Sequence, residues 1–87
     1  APAFAGGDMG KSKYYFDRDL EIEPNYFATR VLVADYYAKK TEDTDLFERQ
    51  LNTVLDTDPA SLPEIEVENR LEQRKAKVLL ENMDEIF

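Results

Sequence analysis

Ser12-Lys13-Tyr14-Tyr15-Phe16, followed by Pro24, and Phe47-Glu48-Arg49-Gln50-Leu51, followed by Pro59, decide the fold of this chain. The second stretch lies 35 residues after the first and repeats its outline. A step of four residues puts both marked side chains on one face of a helix, and a proline then ends that helix. Between the copies, Val33, Ala34 and Tyr37 supply a large apolar, a small and an aromatic side chain. The pattern predicts helical hairpins laid side by side, which is a scaffold and not in itself a chemical device.

The rest of the chain fits that outline. A loop is expected over residues 1–7, which contain Pro2, Gly6 and Gly7, with Asp8 as the cap of a first helix over residues 9–22. Met9, Ser12, Phe16 and Leu20 share one face of it, with Tyr15 and Ile22 on a flank. Asn25 is the expected cap of a second helix over residues 26–40. Its lines Phe27, Val31, Ala34, Ala38 and Tyr26, Val33, Tyr37 are wide enough to meet two neighbours. Lys39 and Lys40 in its last turn oppose the negative end of the helix dipole.

A polar turn, residues 41–44, leads to a third helix over residues 45–55 with Phe47, Leu51, Val54 and Leu55 inward. Ser61 and Glu64 have the spacing of a capping box, with Pro63 in the first turn of a long fourth helix over residues 62–83. Its stripe is Leu71, Ala76, Leu79, Leu80, Met83 and Phe87. The expected architecture is all-α, about four helices in antiparallel hairpins with a long C-terminal helix. A repeat near 34 residues is that of the tetratricopeptide unit.

Eighty-seven residues make one small helical-repeat domain. Two hairpins are fewer than the roughly three repeats that a solenoid needs for stability, so a piece of a longer solenoid, or an oligomer, is expected. The net charge of −8 repels nucleic-acid phosphate and anionic lipid. Cysteine and histidine are absent, which removes thiol chemistry, the commonest general base and two common metal ligands. No apolar run approaches the roughly 20 residues needed to span a bilayer. Neither an enzyme nor a bound cofactor or metal is expected.

Three patterns bear on chemistry. Residues 5–12, Ala-Gly-Gly-Asp-Met-Gly-Lys-Ser, form a relaxed P-loop, and Val31-Leu32-Val33-Ala34-Asp35 could pass for a strand ending in a magnesium ligand. The proline-broken start leaves no strand to feed that loop, and Asp8 would repel phosphate, so a capped helix start is preferred. The pairs Glu21/Glu23, Asp43/Asp45 and Asp56/Asp58 lie at helix ends, where caps and solvated turns explain them. Among the tyrosines, Tyr15 and Tyr37 fall on apolar faces and are read as packing. Tyr14 and Tyr36 lie off those faces and are interface candidates.

In the register of a tetratricopeptide array, Ala28, Val31, Asp35, Ala38 and Lys39 look into the concave groove and are the candidate protein-binding residues. Asn69, with Arg74 nearby, is a further interface candidate. It either hydrogen-bonds to another helix or subunit or lies on a solvated face beside a Glu66 to Arg70 pair.

The stretch Asn69-Arg70-Leu71-Glu72-Gln73-Arg74-Lys75-Ala76-Lys77-Val78-Leu79-Leu80, followed by Asp84-Glu85-Ile86-Phe87, resembles the end of the TRAP transporter T-component (TatT) family. The likeness extends through Gly6-Gly7-Asp8, Tyr15-Phe16, residues 31–37 and Asp45-Leu46-Phe47. The resemblance implies a periplasmic protein of tetratricopeptide-like helices, anchored through an upstream lipidated segment. It also implies association with the solute-binding protein of a TRAP transporter, assembly as a trimer, and a place for this chain in the C-terminal part. A generic tetratricopeptide adaptor for another protein is the alternative. Val78 stands where the family commonly has tryptophan, and Asp19 where the repeat favours a small apolar residue.

Overall fold

The structure, a computed structural model, describes residues 9–87. Among them are five α-helices and no strand: α1 Met9–Ile22, α2 Phe27–Leu32, α3 Thr44–Asp56, α4 Glu66–Glu81 and α5 Met83–Ile86. A π-helical segment, Val33–Ala38, continues α2, and two 3-10 turns, Pro59–Ser61 and Pro63–Ile65, lead into α4. The expected N-terminal loop, and Asp8 as a cap, lie outside the described residues.

The core forms where α2 and the π segment meet α3 and α4. Phe27, Val31, Ala34 and Ala38 pack with Phe47, Leu51, Val54 and Ala76, and Leu46, Leu79, Leu80, Met83 and Ile86 close round them. Burial of each large side chain is worth about 1.5–3 kcal/mol. The three alanines let the helix axes approach closely. Leu55 faces outward, contrary to expectation, because it lies about 100° round the helix from Val54, whose side meets the core.

The marked residues of both copies of the repeat are buried: Ser12 and Phe16 on α1, Phe47 and Leu51 on α3. Phe16 nevertheless stands apart from the main core. It meets the edge of Tyr37 with centroids 6.3 Å apart, while Val33 is buried nearby on the π segment. Tyr15 and Ile22 are exposed, so the expected packing role of Tyr15 is corrected. The face of α1 that finds a partner is narrower than its sequence offered.

Two connections differ from expectation. Asn25 does not cap α2: Tyr26 holds that position without a side-chain bond, and the Phe27 N–H donates to Asn69 Oδ1 at 3.2 Å. The capping box of Ser61 and Glu64 does not form either. Leu62 precedes Pro63 and is held extended at φ −122°, ψ 91°, as the proline ring requires. A helix cannot pass through it, so α4 begins at Glu66 and Ser61 joins a short turn capped by Asp58.

The connection from the π segment to α3 is built from hydrogen bonds. The Asp43 N–H donates to Ala38 O at 2.8 Å and the Glu42 N–H to Lys39 O at 3.2 Å, with Glu42 left-handed at φ 55°. This is a Schellman closure, in which the left-handed position usually carries glycine. Asp43 Oδ1 then accepts from the Leu46 N–H at 3.0 Å and starts α3. At the other end, α4 breaks at Asn82, and α5 carries Phe87 back to the edge of Phe47 with centroids 5.0 Å apart. The single long closing helix is therefore two helices.

Candidate functional site

Helix α4 is fixed by two amides one turn apart. Asn69 is 2% exposed; besides accepting from Phe27 it donates from Nδ2 to Asn25 O at 3.1 Å. Gln73 Nε2 donates to Val54 O and Thr57 O, both at 3.0 Å. One amide thus completes the start of α2 and the other the end of α3, where helices leave backbone groups unpaired. Arg30 adds a third tie: Nε donates to Pro24 O at 3.0 Å and Nη1 to Gln50 Oε1 at 2.8 Å. Its burial lowers the guanidinium pKa from the usual arginine value.

These ties set α4 beside α2 and the π segment and leave a cleft between them. A hollow of ≈ 370 Å³ is lined by Val31, Asp35, Arg74, Lys75, Val78 and Leu79. Lys75 also borders a second hollow of ≈ 240 Å³ that includes Tyr26, Ala28, Leu71 and Glu72. The walls are apolar with charges at the rim. Asp35 pairs with Lys39 at 3.1 Å and Glu72 with Lys75 at 2.8 Å. The hydrogen bond that Lys75 donates to Glu72, then the charge of Glu72, with a smaller contribution from Asp35, raises Lys75 above the usual lysine value. Arg74 forms no ion pair among the described residues.

Of the groove candidates, Ala28 and Val31 lie on the α4 side of α2, and Asp35 lines the same cleft. Lys39 sits near the C-terminus, beside Ile86 and Phe87. Ala38 is 0% exposed and belongs to the core, so it does not line a groove: the π segment turns it towards α3. Asn69 is likewise internal, its partners being in α2 and the turn before it. The exposed Arg70 to Glu66 pair forms as well, at 2.8 Å. Tyr14 is exposed and accepts from Arg18 at 3.2 Å, while Tyr36 is half-buried under Lys40.

The sequence reading missed Lys75 and Val78, and it assigned Leu71 to the buried stripe, whereas Leu71 is exposed. The available signal was the second apolar spacing of this helix, Val67, Leu71 and Val78, which competes with Ala76, Leu80 and Met83 for the inward face. Inward placement of Asn69 and Gln73 decided between them.

A larger hollow, ≈ 660 Å³, lies between α1, the π segment and α3, with Lys13, Asp17, Tyr37 and Arg49 among its lining. It is polar, and Lys13 is paired with Asp17, which raises the lysine pKa through their hydrogen bond and charge. The nucleotide alternative finds no support in the described residues: residues 31–35 are helical, so Asp35 does not end a strand, and Lys11 and Ser12 lie within α1. Residues 5–8 of that pattern lie outside the described residues, while Ser12 is buried on α1. The described residues contain no group of three or more His, Cys, Asp or Glu able to hold a metal. No described helix is long and apolar enough to cross a membrane.

Helices joined by buried amides, beside an apolar cleft with a charged rim, define a helical scaffold. A family profile described as TRAP transporter T-component (TAtT) matches residues 1–87, and the chain belongs to that family. The described residues of this T-component domain are helical, with no strand among them. No curated protein matches the chain.

Proposed function

We propose that this chain binds the solute-binding protein of a TRAP transporter in the periplasm and uses the cleft between α2, the π segment and α4 to do so. The observation that carries the reading is the family match over residues 1–87. The cleft supports it: Ala28, Val31 and Asp35 face Arg74, Lys75 and Val78 across an apolar surface suited to a helix or strand of another protein. Lys39 extends this surface, and Tyr14 and Tyr36 are secondary contacts.

The finer architecture belongs to the same proposal. Burial of Ser12 and Phe16 together with Phe47 and Leu51 supports two tetratricopeptide-like units followed by a closing helix. The chain is then the C-terminal part of a longer solenoid, anchored through an upstream lipidated segment and assembled as a trimer. Titration calorimetry against a purified TRAP solute-binding protein of the same organism tests the function. Saturable binding is expected, and its absence at high micromolar concentration overturns the reading.

A further inference from the structure

The outer side of α4 carries an apolar line that the fold does not use. Val67 is 75% exposed, Leu71 48% and Val78 55%, with Arg74 in the gap between the last two. Steps of four, three and four keep these residues on one stripe over about 16 Å, or three turns. That stripe forms one wall of the cleft, since Leu71, Arg74 and Val78 line its two hollows. A helix partner with the same spacing would meet it as in a coiled coil.

Charge narrows the partner further. The chain carries 19 acidic and 11 basic residues, yet Arg70, Arg74, Lys75 and Lys77 crowd into residues 70–77 with one acid, Glu72. Arg70 and Lys75 are paired within the helix; Arg74 and Lys77 make no ion pair among the described residues. In a molecule of net charge −8, two uncompensated cations flanking an exposed apolar stripe call for anionic side chains from outside.

We infer that the stripe Val67, Leu71, Arg74, Val78 is the seat of an acidic amphipathic helix of the partner protein, with Leu71 and Val78 taking its apolar face and Arg74 and Lys77 its carboxylates. This rests on the binding function proposed above and specifies which segment of the partner is recognised.

The test is binding of a purified TRAP solute-binding protein to wild type and to Val78→Asp, Arg74→Glu and Arg49→Glu variants. Far-UV circular dichroism and melting curves establish that each is folded. All three sites are exposed, so folding is expected to persist. Val78→Asp and Arg74→Glu are expected to weaken binding at least tenfold. Arg74→Glu should also flatten its salt dependence, while Arg49→Glu, at the other hollow, should leave affinity within twofold. Wild-type binding with unchanged affinity in the folded Val78→Asp and Arg74→Glu variants overturns this inference and leaves the proposed function standing. If the two substitutions abolish self-association in sedimentation and leave partner affinity unchanged, the stripe belongs to a second copy and the inference is wrong. Absence of wild-type binding removes the proposed function, and this inference with it.

Discussion

Asn69 satisfies backbone groups at two residues more than 40 positions away in the chain: the Phe27 N–H and the Asn25 carbonyl. The Phe27 bond is buried and the Asn25 bond partly so, and Asn69→Ala leaves that donor and that acceptor without their protein partner. A loss of about 1–3 kcal/mol is expected for each unsatisfied group, read as a lower urea midpoint with the slope unchanged. Glu42 presents the opposite case. At φ 55° its Cβ crowds the following carbonyl, and glycine removes that crowding. Glu42→Gly is expected to raise stability by roughly 1 kcal/mol in the same assay, less some chain entropy.

At the scale of elements, α3 is the best-determined helix. Asp43 starts it, Phe47, Leu51 and Val54 bury one face, and Gln73 closes its end. Asp43→Ala is expected to remove about 0.5–2 kcal/mol, measurable by thermal unfolding. Helix α1 is held by less: Phe16 meets Tyr37 outside the main core, and the Lys13 to Asp17 pair is solvent-exposed and of small value. Amides of α1 should therefore exchange with deuterium well before those of α3.

The pH dependence of these helical ion pairs has a fixed sign. Lys13 and Lys75 have folded pKa values raised by their acidic neighbours, so the stabilisation is complete below the ordinary lysine pKa. It disappears only as pH rises through the raised value. Helix content followed by circular dichroism should stay flat from neutral pH to the edge of that alkaline range.

For the whole molecule, one cluster carries most of the stability. Phe47 is fully buried in it and meets Phe87 from the last residue of the chain. Phe47→Ala is expected to cost about 3–5 kcal/mol, a large share of the total for a domain this small, and to unfold much of the population at room temperature. Phe16→Ala should instead loosen α1 and leave the α2, α3 and α4 core cooperative, which near-UV dichroism of the remaining aromatics would show. The cleft lies on the α2 and α4 side of that core, so loosening α1 should leave partner binding nearly intact.

What was legible in the sequence is what local forces set. Helix period and prolines depend on residues within a turn or two, so the helical class, the end of α1 at Pro24 and the inward Phe47 and Leu51 could all be read. The remainder needed contacts between distant residues: the cap of α2 comes from Asn69, and α4 could have buried either of two apolar stripes. Only when its buried amides met the open ends of α2 and α3 was the choice made, because an unpaired backbone group in the core costs more than an exposed leucine or valine on the surface. That choice turned Leu71 and Val78 outward and made the cleft.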